Sequence, residues 1–67
     1  MITDTRQLDF SSDRVKRIRI ALGETQARFA QRIGVSPDMV HRWERGHAEP
    51  MRGPTIKALL DAERLVS

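Results

Sequence analysis

From Ser11 to Val66 the apolar residues recur at intervals of three and four, and no stretch alternates strictly. The longer interval is that of a helix turning one face to a core, whereas a half-buried strand alternates. Four such stretches follow one another, punctuated by glycine, proline and short polar residues. The first sets Val15, Ile18 and Leu22 on one face and stops at Gly23. Ser11 suits its N-cap, with Ser12 an equal choice by residue type, and Phe10 and Val15 then hold the two positions of a hydrophobic staple. The second opens after Thr25, presents Phe29, Ala30 and Ile33, and stops at Gly34. The third runs from Ser36 to Gly46 and carries the fullest set of signals. Ser36 is its N-cap, and Pro37 fits the first helical position, where a missing N–H costs nothing. Val35 and Val40 form a second staple, and Gly46 falls where the chain must turn left-handed to leave a helix.

The fourth stretch starts at Arg52-Gly53-Pro54, after the connector His47–Pro50. Ile56, Leu59, Leu60 and Val66 share the face that should close the core, while Ala58, Ala62 and Leu65 line nearly the opposite face. The whole pattern predicts an all-α domain of four compact helices, with a fifth left open. Gly34 permits a tight turn, so about three residues join the second and third helices in helix-turn-helix geometry. Ala30 is small enough mid-helix to let a neighbouring helix come close. Arg19 sits among core positions of the first helix and therefore needs a carboxylate partner. Ile20 points away from that face. Residues 1–10 show no period and include Thr3, Asp4 and Thr5, so they read as a partly disordered arm. Residues 11–67 form the domain, with the helix-turn-helix at about 25–46.

At 67 residues the chain is one domain near the lower size limit for independent folding. It buries only about 60% of its unfolded surface, so a second copy or another partner would help to stabilise it. Absence of cysteine excludes disulfides, thiolate metal sites and thiol nucleophiles, and fits a reducing cytoplasm. No apolar run nears the ~20 residues that span a bilayer, so no membrane is expected as a partner. The formal charge is +3, and its excess lies between residues 26 and 57. There Arg28, Arg32, Arg42, Arg45, Arg52 and Lys57 face only Asp38, Glu44 and Glu49. A basic bias alone is weak evidence for nucleic acid; joined to a helix-turn-helix it gains meaning. His41 and His47 lack a second ligand at useful spacing, so no metal is expected. Ser36 has no His–Asp relay. Nothing supports an enzyme or a cofactor.

In order, Ile18-Arg19, Gly23, Thr25-Gln26, Phe29-Ala30, Gly34-Val35-Ser36, Val40, Trp43-Glu44-Arg45-Gly46 and Pro50 resemble the Cro/C1-type (XRE-like) helix-turn-helix family of phage and bacterial repressors. The resemblance covers roughly Ser12 to Leu60 and implies a lambda-repressor-like fold. It implies a structural ion pair between Arg19 and Glu44, which would answer the cost of Arg19. It also implies double-stranded DNA as partner. The second helix would lie across the DNA backbone, its N-terminal amides and Gln26 holding a phosphate. Thr25 and Arg45 match other phosphate positions, Arg52 lies close to one, and His47 stands beside them. The third helix would enter the major groove with Pro37, Asp38 and Arg42 reading bases and Ser36 and Met39 next to them. Arg42 suits guanine O6 and N7. Asp38 suits a cytosine amino group, or instead stabilises the helix N-terminus or orients Arg42. Pro37 or Met39 suits a thymine methyl. Glu24 departs from the family, which usually has an apolar residue there.

The resemblance implies a homodimer that represses from an inverted repeat, and the second stripe of the last helix, Ala58, Ala62 and Leu65 with Val66, is the surface expected to join the two copies in the cytoplasm. Two rivals use the same fold: an antitoxin, with a toxin as protein partner, and an anti-activator that binds protein, such as polymerase, in place of DNA.

Overall fold

The computed structural model describes residues 10–51 and 53–67. It contains α1 (Ser12–Ala21), α2 (Gln26–Ile33), α3 (Pro37–Glu44) and α4 (Gly53–Val66), with no strand among the described residues. Each of the first three helices begins at a capping side chain. The Ser11 hydroxyl accepts from Arg14 N–H, Thr25 from Arg28 N–H and Ser36 from Met39 N–H. These bonds satisfy donors that a helix start would leave orphaned.

The same three helices end alike. After α2, Val35 N–H reaches back to the Ala30 carbonyl at 3.0 Å, and after α3, His47 N–H reaches the Arg42 carbonyl at 2.9 Å. Glu24 N–H makes the matching bond to Arg19 after α1. This six-to-one closure needs a left-handed residue just before the donor. Gly34 (φ 91°) and Gly46 (φ 77°) supply it. Gly34 therefore does two things at once: it closes α2, and it aims the chain so that Ser36 can start α3 two residues later.

α1 packs on α3 and α4, and α2 packs on the same two helices. Their shared core holds Phe10, Val15, Ile18, Phe29, Ala30, Ile33, Val40, Trp43, Leu59 and Ala62. Ala30 is buried at the approach of helices, as its size suggested. Phe10 belongs to this core although it precedes α1, as a staple partner of Val15 should. The remaining arm positions and Arg52 lie outside the described residues.

The face of α4 differs from the sequence expectation. Ala62 is 2% exposed and lies in the core beside Leu59, and Ala58 packs against the core. Ile56 and Leu60 are only partly buried and flank one side, while Leu65 is exposed on the other. Leu59 is buried as expected and Ile56 and Leu60 still pack against the core, so the face is turned about the helix axis toward Ala62 rather than replaced. Ala62 is thus unavailable as a dimer surface. Of the residues proposed for that role, Leu65 is exposed, and Val66 and Ala58 are half-buried.

Candidate nucleic-acid interface

α3 divides cleanly around its circumference. Val40 and Trp43 are buried, and Trp43, at 3% exposure, is a core residue. Pro37, Asp38, His41, Arg42 and Arg45 are all exposed and fall within one arc on the far side of the helix axis. Met39 stands at the edge of that arc, 37% exposed. Ser36 is exposed at the start, its hydroxyl spent on the cap. The exposed arc carries two guanidinium groups and one carboxylate, and no described helix covers it.

At the C-terminal end of α3 the helix is fastened to its neighbours. Glu44 Oε2 accepts from Arg19 Nε at 2.7 Å and Oε1 accepts from Arg19 Nη2 at 3.1 Å, a two-pronged contact. Gln26 Nε2 donates to the same Oε1 at 3.2 Å, and Arg19 Nη1 donates to the Glu24 carbonyl at 2.9 Å. The Glu44 side chain is only 6% exposed. Burial drives its carboxyl upward, but the hydrogen bonds from Arg19 and Gln26 outweigh that, and the group stays below its ordinary value. Arg19 thus has the carboxylate that its position demanded. Gln26 is half-buried, and its amide nitrogen is engaged with Glu44 rather than held free at the surface. Thr25, at the start of α2, is exposed; so are Arg28, Arg45 and His47.

Two ion pairs were not legible in the sequence. Glu24, the departure from the family pattern, pairs from ahead of α2 with Arg32 in its last turn, at 2.6 Å. Arg14 on α1 pairs with Glu63 on α4 at 2.6 Å and lays its guanidinium 4.1 Å from the Phe10 ring centre. Neither is signalled by helical spacing, because each joins two elements. Asp38 and Arg42 are paired within α3, Arg42 Nε standing 2.9 Å from Asp38 Oδ2. Their separation of four residues was the available signal.

Glu24 and Glu63 also sit below their ordinary value of 4.5, each chiefly through the hydrogen bond from its arginine. Carboxyls lowered in the folded state bind protons less readily than in the unfolded chain. Their stabilisation is therefore complete above about pH 4.5 and is lost as pH falls through the lower folded values. Urea midpoints should hold steady from pH 7 to 5 and drop steeply below 4.5. A midpoint unchanged down to pH 3 would contradict these pairings.

A helix-turn-helix family model matches residues 15–62, from the middle of α1 to the core residue of α4. The chain belongs to the Cro/C1-type helix-turn-helix family. No match was found among curated proteins or among solved structures. As a member of the helix-turn-helix family the protein is a DNA-binding transcriptional regulator, of a kind built for regulation rather than catalysis. α2 and α3 form the helix-turn-helix itself. No described helix is long and apolar enough to cross a membrane.

Proposed function

We propose that α3 is the recognition helix and that the protein acts as a homodimeric repressor on an inverted-repeat operator. The exposed arc Pro37–Asp38–His41–Arg42–Arg45, opposite a fully buried Val40–Trp43 edge, carries this reading. A major groove admits an α-helix, and Arg42 on that arc suits the two acceptors of guanine. Pro37 and Met39 offer apolar contact to a thymine methyl, and Ser36 borders them. Thr25 and His47 beside the arc, and Arg45 at its end, serve as phosphate contacts, with the first amides of α2. Gln26 joins them through whatever its bond to Glu44 leaves free. Two copies meeting through the last turn of α4, where Leu65 is exposed, would set two α3 helices about one helical turn of DNA apart.

Selection from a random DNA pool tests all of this together. Wild type is expected to select two inverted half-sites whose centres lie about 10 base pairs apart. Arg42→Ala should lose roughly 1–3 kcal/mol of discrimination at one base pair of each half-site. Arg45→Ala should weaken every sequence alike and flatten the salt dependence by about one unit. Gln26→Ala is a poorer phosphate probe, since it also removes a support of Glu44. A single selected half-site would sink the dimer, and Arg42→Ala binding with unchanged selectivity would sink the assignment of α3.

A further inference from the structure

Asp38 and Arg42 make an unusual choice for the exposed arc of α3. A carboxylate there faces a polyanion, and its service to the fold is small: in the first turn of α3 it favours the helix N-terminus, but Asp38 is 69% exposed and Arg42 58%. Exposed pairs of this kind contribute little to stability. What the contact does is geometric. Its closest approach is Arg42 Nε to Asp38 Oδ2, at 2.9 Å, an ion pair that sets the carboxylate beside the inner edge of the guanidinium. A guanidinium is a planar fork whose donors point in fixed directions. With a carboxylate beside Nε, the edge of the fork left open to a partner is its end, with the two terminal nitrogens. That is the approach that fits O6 and N7 of a guanine.

We propose that Asp38 is a positioning residue, which holds Arg42 for end-on reading of a guanine rather than reading a base itself. The inference rests on α3 being the recognition helix. Two physical effects serve it. An arginine already held loses less rotamer freedom on docking, so more of its contact energy appears as selectivity. The carboxylate also repels phosphate oxygens, which would otherwise draw a free guanidinium to the backbone, where it carries no sequence information. Asp38 therefore trades general affinity for discrimination.

That trade is measurable. Binding of wild type, Asp38→Ala, Asp38→Asn, Arg42→Ala and the Asp38→Ala/Arg42→Ala double variant is compared on the selected operator and on its single base-pair changes. Asp38→Ala should lose about 3- to 10-fold of the guanine preference at the same base pair that Arg42→Ala relaxes. Its affinity for unrelated DNA should be undiminished or higher, since a negative charge has left the interface. Asparagine keeps an oxygen beside Nε without the charge, so Asp38→Asn should retain more of the preference than alanine does and less than wild type. The double variant should be no less selective than Arg42→Ala alone. Both side chains are exposed, so the variants should melt as wild type does, and this is checked first. Relaxation at a different base pair in Asp38→Ala would show Asp38 reading directly and would overturn the proposal, as would an unchanged guanine preference. Failure of the wild type to select any sequence would instead remove the recognition helix, and the proposal with it, before any variant is compared.

Discussion

Glu44→Ala is expected to destabilise the domain by about 3–5 kcal/mol, most of the stability of a chain this small. The carboxylate accepts three hydrogen bonds, two from Arg19 and one from Gln26, in a setting only 6% exposed. Deleting it leaves a half-buried guanidinium whose remaining partner is the Glu24 carbonyl. The penalty comes from that stranded charge more than from the lost attraction. Replacing both partners tests the distinction: Arg19→Met with Glu44→Leu should recover most of the loss, because two apolar side chains leave nothing unpaired. Trp43 is the only tryptophan and is buried, so its fluorescence follows unfolding in urea directly. A Glu44→Ala variant within about 1 kcal/mol of wild type would show that water reaches Arg19 and that the pair matters little.

The second large effect is expected at Phe10. It lies outside every helix, yet it is 2% exposed and packs in the core with Val15, its staple partner. Truncation to alanine should cost roughly 3–5 kcal/mol, the range for a buried aromatic ring. Arg14 adds to this loss. Its guanidinium covers the ring at 4.1 Å while pairing with Glu63, so one arginine joins the residue before α1 to the body of α4. Phe10→Leu should retain most of the buried volume and lose only about 1 kcal/mol or somewhat more. Equal melting of Phe10→Ala and wild type would mean that the staple is dispensable and that the core begins at Val15.

How much of this was visible beforehand depended on whether a feature is local. Caps, glycine stops and the apolar stripes of α1, α2 and α3 follow from spacing within one helix, and each lies where spacing puts it. The Arg19–Glu44 pair spans two helices and came from the resemblance alone, although Arg19 among core positions had already demanded some carboxylate. The misplaced face of α4 has a different cause. Ile56, Leu60 and Val66 outweigh Ala62 in hydrophobicity, so spacing and bulk centred the face on Leu59 and Leu60, whereas packing on two helices at once turns it toward Leu59 and Ala62. Gln26 shows a similar limit at the candidate site. Its place at the head of α2 suggests a free amide, and only the folded arrangement brings it to Glu44. The i,i+4 pair Asp38–Arg42 was legible as spacing, while its use of Nε, which decides how the fork is aimed, was not.

The fastening of Glu44 has a mechanical corollary. α3 is tethered at its start by the short turn from Gly34 and at its far end by Arg19 and Gln26, which belong to two other helices. A rod gripped at both ends has no hinge of its own. It cannot tilt or slide in a groove unless the four-helix body goes with it. In the dimer proposed above, any compliance in how two such rods meet a duplex would then reside in the joint between bodies, and wear in that joint, not in α3, would loosen the grip.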